Sequence, residues 1–302
     1  MASMALKPQK RSAAGIFIRS QICTTPRPPP TTLSFTGQTA VVTGSNVGIG
    51  LEACRQILDR GLTHLVMGVR SVDKGNAAAA ALRASHTGAQ IEVWSLDMAS
   101  YDSIRSFAQR CSTLRELRSV ILNAAAFNSS FKSAGTGHEE MFQVNYLSTA
   151  LLSALIVPIL KSKNGDTGQP GRLTIIGSSA SLSSEFKHRN ANPLISSFDD
   201  PSTFGSAMER YSTTKMCVLV LVHKLAQSVP AERVTINTVD PGLVGGSSLH
   251  RSFEGFAAWA FGTVKNLASR TLEQGAWTYL DAVAVRGEDT HGGFVVDWEL
   301  HP

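Results

Sequence analysis

The sequence predicts an α/β fold: one domain built on a doubly wound, mainly parallel sheet of seven strands. Three observations carry that expectation. Short β-branched runs alternate with helix-length segments from about Leu33 onward, and the first of these runs leads straight into a glycine-rich turn and a helical pattern. The 302 residues are 43% hydrophobic and only 17% charged, the composition of a chain that buries a substantial core. Wholesale disorder is excluded.

The strand candidates are residues 39–43, 65–69, 91–96, 120–122, 172–176, 234–239 and 294–296. Helix-length spacers between them imply parallel neighbours joined by crossovers, with both faces of the sheet covered. No internal repeat is present, and the only biased tract is the alanine run at 77–81. Ahead of the first strand, Pro26-Arg27-Pro28-Pro29-Pro30 reads as an extended spacer, since proline cannot donate to a ladder and restrains its predecessor. The expected division is a basic arm with a proline-rich linker at 1–33 and a single α/β domain at 34–302.

The net charge of +5 resides in that arm. Residues 1–33 hold Lys7, Lys10, Arg11, Arg19 and Arg27 with no acid, which leaves 23 basic against 23 acidic residues in the body. A nucleic-acid-binding domain would carry its excess on the body, so that class is disfavoured. Cys23, Cys54, Cys111 and Cys217 are widely spaced, without a CxxC pair or nearby histidines, so they read as reduced intracellular thiols and no metal site is expected. The longest apolar stretch, 150–160, is far short of the roughly 20 residues that span a bilayer, so no transmembrane segment is expected. A cytoplasmic location follows, with mitochondrial import through the acid-free N-terminus as the minor alternative. The arm itself is expected to be disordered or to lie along the surface.

The first strand runs into Thr43-Gly44-Ser45-Asn46-Val47-Gly48-Ile49-Gly50, after which Ile49, Ala53 and Ile57 recur on one helical face before Gly61 stops it. Strand, glycine turn and helix form a cradle for a pyrophosphate. Gly44 and Gly48 let the backbone turn and approach the ligand, Gly50 lets the helix pack on the strand, and the helix start supplies free N–H groups and positive dipole. Asn46 and Ile49 belong to the same turn. About 20 residues on, where an acid would meet an adenosine 2′-hydroxyl, stands Arg70 with Ser71 beside it. A guanidinium there fits a 2′-phosphate, so NADP(H) is expected over NAD(H).

Tyr211 and Lys215 lie four apart at the start of a helical run and share one face. A tyrosine, with pKa near 10, needs about 3 units, or roughly 4 kcal/mol, of phenolate stabilisation to act as a base near neutrality. A nearby ammonium and an oxidised nicotinamide are suitable sources.

These residues occur with TGSNVGIG at 43–50, LDM at 96–98, LNAAA at 122–126, QVNYLS around Asn145, IIGSSAS at 175–181, YSTTK at 211–215 and DPGLV at 240–244. In order and spacing the set resembles the short-chain dehydrogenase/reductases over nearly all of 34–302, which implies a single-domain Rossmann fold. The resemblance implies that Tyr211 is the general acid/base, that Lys215 lowers its pKa and binds the nicotinamide ribose, and that Asn145 supports a proton-relay water. It implies that Ser178 hydrogen-bonds the reacting oxygen, with Ser179 the alternative. Asp97 would contact the adenine, Asn123 would lie beside the cofactor, and Pro241, Gly242 and Val244 would form the loop near the nicotinamide amide.

Two departures stand out. The family's NNAG is Leu122-Asn123-Ala124-Ala125 here, with a methyl in place of the glycine hydrogen. The interval from Ser178 to Tyr211 is also long, and the additional segment at 185–210 carries Phe186, Pro193, Phe198, Pro201 and Phe204. That insertion is similar to the retinol-dehydrogenase-like branch, and the DPGLVGGS and GGFVVDWE segments to fungal reductases of secondary metabolism. Phe253, Phe256, Trp259 and Phe261 follow DPGLV, and three readings of them stay open: core or oligomer contact, a wall for an apolar ligand, or contact with a membrane surface.

The function expected is an NADP(H)-dependent oxidoreductase that moves hydride between nicotinamide and a carbonyl or alcohol of an apolar small molecule, polyketide-like in character. The alternatives are a non-catalytic dinucleotide sensor or scaffold, and an epimerase or dehydratase on the same fold. Substrate identity, direction and oligomeric state, with homodimer and homotetramer both common in the family, are left open by the sequence.

Overall fold

The computed structural model of the chain describes residues 6, 7, 12–163, 169–246 and 269–301. Strand β1 (Thr39–Thr43) is buried at all five positions, as an apolar β-branched run must be at the centre of a sheet covered on both faces. The other strands are β2 (His64–Val69), β3 (Gln90–Ser95), β4 (Leu117–Leu122), β5 (Gly171–Ile176), β6 (Val234–Asp240), β7 (Phe294–Val296) and β8 (Glu299–His301). Their order is β3-β2-β1-β4-β5-β6-β7-β8, and every pairing is parallel except β7 with β8.

The eighth strand is an addition to the seven that the sequence predicts. It is made by the two-residue turn Asp297-Trp298, whose φ angles of 53° and 60° are the doubly left-handed geometry that matches hairpin twist. No Asn or Gly marks that turn, so local turn chemistry gives no warning of it. Tertiary contacts hold it instead: Trp298 is buried and Asp297 pairs with Arg270. Strand β4 also begins earlier than the apolar run at 120–122, because Arg118 is buried in the strand and donates to Gln169 O at 2.7 Å.

Helices α2 (Gly48–Leu58), α3 (Val72–Ser85) and α8 (Leu272–Leu280) cover one face; α4 (Tyr101–Cys111), α6 (Ser148–Ser162) and α7 (Ala207–Ser228) cover the other. Ile57, Leu65 and Ile121 anchor the first layer, while Ile104, Leu152 and Ile236 anchor the second. Gly61 ends α2 as expected, with φ +83° and its N–H bonded to Leu58 O at 2.9 Å. The short α5 (Glu140–Phe142), a wider turn at Gln143–Leu147 and α6 make a continuous helical run, Glu140–Ser162, long and apolar enough to cross a membrane. Half of that window is buried inside the fold, where Leu152, Ile156 and Leu160 lie under the sheet.

Residues 12–23 take the surface-lying course and not the disordered one. They form α1 (Ala13–Ile18) and the turn Arg19–Cys23, and Ser20 is buried against the body. The four cysteines are unpaired, with Cys23 exposed and the other three buried.

Candidate active site

The sheet order reverses between β1 and β4, the switch point beyond whose strand carboxyl ends doubly wound sheets take their ligands. The glycine turn follows β1 on this edge. Gly44 and Gly48 have φ of +64° and +62°, which an L side chain adopts only under strain. A Cβ on Gly44 would come 2.9 Å from Ala124 Cα, and one on Gly50 would come 2.5 Å from Asn123 Nδ2. Asn123 ties the turn from behind: Nδ2 donates to Thr43 O at 2.9 Å and Gly44 O at 3.0 Å, and Oδ1 accepts from the Tyr279 hydroxyl at 2.8 Å. Thr43 Oγ1 accepts from the N–H groups of Asn123 and Ala124, which ties the LNAA turn to the end of β1.

The start of α2 fits an anion. Its N-cap, Val47, supplies no side-chain acceptor, whereas α1, α3, α4, α7 and α8 are each capped by a Ser or Thr hydroxyl. The first N–H groups of α2 therefore lack the hydroxyl partner that those five helices have, beside glycines that admit a close ligand. Asn46 and Ile49, in the same turn, are half-buried.

Tyr211 and Lys215 project from the first turns of α7 and are both buried. Lys215 Nζ donates to Ile176 O at 2.8 Å and lies 5.8 Å from the centre of the Tyr211 ring. Burial draws the Lys215 ammonium down to about 8, with the Asp240 carboxylate partly opposing it. The Tyr211 phenol moves upward, chiefly through burial and further through Asp240, while the Ser178 hydroxyl beside it works in the other direction.

Ser178 follows β5 and accepts from Ala180 N at 3.2 Å, capping the turn Ser179–Ser183. Of the two candidate serines, Ser178 lies against the Tyr211 phenol and Ser179 against Asp240. Asn145 sits in the widened turn Gln143–Leu147, which aims its amide at the backbone of Ala126. Oδ1 accepts from Ala126 N at 2.8 Å, and Nδ2 donates to Ala126 O at 3.0 Å and Thr214 Oγ1 at 3.1 Å. The structure thus brings Ser178, Tyr211, Lys215 and Asn145 together at the ends of β4, β5 and α7.

The loop after β6 completes the edge. Gly242 N donates to Asp240 Oδ1 at 3.1 Å, Pro241 O accepts from Arg270 Nη1 at 3.0 Å, and buried Val244 bridges to Arg270. Asp97 follows β3, where Oδ1 accepts from Ala99 N at 2.9 Å. Arg70 ends β2 with its side chain exposed, next to Ser71, the N-cap of α3. Phe253, Phe256, Trp259 and Phe261 lie outside the described residues.

The short chain dehydrogenase family model matches residues 38–189. Among curated proteins, the short chain dehydrogenase/reductase mfmJ of Annulohypoxylon moriforme is 42% identical over 95% of this chain and 83% of its own. The chain belongs to the short-chain dehydrogenase family. A second relative, the short chain dehydrogenase virL of Hypocrea virens, is 41% identical over 92% of this chain and 82% of its own. An NADPH-bound short chain oxidoreductase of Pseudomonas aeruginosa superposes with a TM-score of 0.65 at 20% identity, over 87% of this chain and 95% of that one. A short chain dehydrogenase of Shigella flexneri gives 0.66 at 19%, over 89% and 94%.

Sequence reasoning missed part of this dehydrogenase's site. Phe127, Phe131, Met141 and Phe204 pack with Tyr211 into a separate apolar cluster; Phe127 meets the Tyr211 ring edge-on at 5.7 Å, and Phe131 meets Phe204 at 6.2 Å. Of these four, the sequence marks only Phe204, through the long insertion that carries it. Phe127 and Phe131 lie in the irregular segment after β4, so no helix or strand pattern points to them, although the position of Phe127 just after the LNAAA motif is a usable signal. Glu209 and Arg210, immediately before the tyrosine, went unnoticed as well. Glu209 accepts from Glu185 N at 3.1 Å and Phe186 N at 3.1 Å, and Arg210 donates to Phe198 O at 3.3 Å and Thr203 O at 3.1 Å. Together they bind both ends of the long insertion to α7.

Proposed function

We propose that this short-chain dehydrogenase is an NADP(H)-dependent carbonyl reductase acting on an apolar, aromatic or polyketide-like ketone or aldehyde in fungal secondary metabolism. The observation that carries the reading is the buried Tyr211 phenol with Ser178 beside it and Lys215 on the same face of α7. A neutral phenol is the form that gives a proton, so reduction needs no prior depression of its pKa.

In the proposed reaction Ser178 donates a hydrogen bond to the substrate oxygen, polarising the carbonyl. Bound NADPH supplies the hydride that reaches the carbonyl carbon. Tyr211 delivers its proton to the oxygen as negative charge develops there, and Lys215 stabilises the phenolate left behind. Asn145 holds the backbone at Ala126 and Thr214 of α7, and so fixes the tyrosine's helix relative to β4.

The residues present suit the dinucleotide. The glycines would admit its pyrophosphate to the uncapped start of α2, Asp97 would meet the adenine, and Asn123, Lys215 and the Pro241–Val244 loop would line the nicotinamide half. Arg70, exposed and with no ion pair among the described residues, favours the 2′-phosphate of NADP(H). Phe127, Phe131 and Phe204 support an apolar substrate, because a ring held against aromatic edges leaves no buried polar group unmatched. The proposed setting is the cytoplasm, in keeping with the unpaired cysteines.

The test is NADPH consumption across aromatic and polyketide ketones, aldehydes and retinoids, with Tyr211→Phe as control. One NADPH consumed per alcohol formed, and a kcat lowered by about 10²–10⁴ in the variant, are expected. Substrate conversion without net NADPH consumption would indicate an epimerase or dehydratase, and full activity in Tyr211→Phe would sink the mechanism.

A further inference from the structure

Ser20 is 2% exposed although it belongs to the segment that precedes the first strand. Helix α1 starts on Ser12, whose hydroxyl accepts from Gly15 N at 3.2 Å, and passes into the turn Arg19–Cys23, which carries Ser20 inward. There Ser20 Oγ donates to Asp297 Oδ1 at 2.7 Å, and Ser20 O accepts from Arg270 Nη2 at 3.3 Å. Arg270 is buried, pairs with the same Asp297, lies 4.9 Å from the Trp298 ring and donates to Pro241 O. Gln21 Nε2 donates to Ser20 Oγ at 3.0 Å and packs on Gly242, where an added Cβ would come 2.7 Å from both Gln21 Nε2 and Arg270 Nη1. At the rim, Arg19 and Arg27 approach Glu299 at 3.2 and 3.8 Å.

The arm thus stitches together the end of β6, Arg270 and the β7–β8 hairpin. All three border the candidate site. β6 lies beside β5, with Gly177 N bonded to Val239 O at 2.9 Å next to Ser178, and α1 packs on the turn Ser179–Ser183 that Ser178 caps.

We propose that the segment 12–23 is the wall that closes the nicotinamide end of the cofactor groove, with Gln21 as the positioning residue for the Pro241-Gly242 turn. The inference rests on the NADP(H) reading given above. Gly242 has φ +77°, and a glycine in that conformation samples alternatives unless its neighbours limit it. Gln21 and Arg270 do so from one side, while the Gly242 N–H is held by Asp240. The arm also keeps water from the Arg270–Asp297 pair and supplies two of its hydrogen-bonding partners through Ser20, so lifting it loosens the anchor of Pro241. Among the described residues, none of the hydrogen bonds and ion pairs named above for Gln21, Ser20, Gly242, Arg270 and Asp297 reaches the glycine turn or Arg70.

The experiment uses full-length Gln21→Ala and Ser20→Leu, the latter too large for its buried position, with calorimetric titration of NADPH and of 2′,5′-ADP, which lacks the nicotinamide half. In both variants the Kd for NADPH should rise about tenfold, while that for 2′,5′-ADP stays within about twofold of wild type. Trypsin cleavage after Arg19 should quicken in Ser20→Leu, reporting release of the arm from a body that still binds 2′,5′-ADP. Unchanged or tighter NADPH binding in both variants, or equal weakening of both ligands, overturns the inference and leaves the NADP(H) reading standing. A wild-type protein that binds neither ligand overturns both.

Discussion

The guanidinium of Arg210 lies 4.8 Å from the ring centre of Phe198, and both side chains are fully buried. Phe198 is stacked between Phe142 at 3.9 Å and His188 at 4.2 Å, so the arginine next to Tyr211 is also the peg around which the insertion folds. Its charge is balanced by Glu139, which itself caps α5 through Met141 N and Phe142 N. Burial without a direct ion pair pulls the Arg210 pKa downward.

Removing that peg should be costly. Arg210→Ala leaves the carbonyls of Phe198 and Thr203 without their donor and Glu139 without its counter-charge, a loss of about 3 kcal/mol or more. Arg210→Lys restores charge but not the planar fork, and should recover only part of it. Urea denaturation reads the stability, and kcat should fall in parallel because the tyrosine's helix loses its anchor. An Arg210→Ala protein as stable as wild type would refute the role.

At the glycine turn, Gly50→Ala forces a methyl into the space of the Asn123 amide. Overpacking of this kind costs roughly 1–3 kcal/mol. It should appear mainly as weaker nucleotide binding, since Asn123 holds Thr43 O and Gly44 O in place. Comparing the Kd for NADPH with the melting temperature separates a local effect from a general one.

Lys215 should leave a signature in the pH dependence of stability. Its pKa is about 8 in the folded protein against the ordinary 10.5, so between those values the unfolded chain binds more protons. Stability must then rise with pH across that window, and the full penalty of burying the ammonium, on the order of 3 kcal/mol, is felt below pH 8. Denaturation of wild type and Lys215→Met without nucleotide at pH 7.5 and 9.5 should show wild type gaining on the variant. The opposite trend would mean that the ammonium is stabilised in place.

Arg70 offers the sharpest test of cofactor choice. A charge-assisted contact to a 2′-phosphate contributes about 1.5–3 kcal/mol, so Arg70→Ala should lower kcat/KM for NADPH by roughly 10–150-fold and leave NADH nearly untouched. Equal kcat/KM for the two nucleotides in wild type would dispose of the preference.

The sequence by itself determined the parallel body of the sheet, the cradle of Gly44, Gly48 and Gly50, and the pairing of Tyr211 with Lys215. Each is a local pattern: a β-branched run, glycines where backbone must bend, two side chains one helical turn apart. Only the tertiary structure decided what surrounds them. The Phe127–Phe131–Phe204 wall, the Arg210 peg, the Asp297-Trp298 hairpin turn and the docking of Ser20 on Arg270 join segments far apart in the chain. Their energies come from burial and from charges matched in a low-dielectric interior, quantities that no periodicity along the sequence encodes. The direction of the Tyr211 pKa belongs with them, because burial by its neighbours outweighs the hydrogen bond from Ser178.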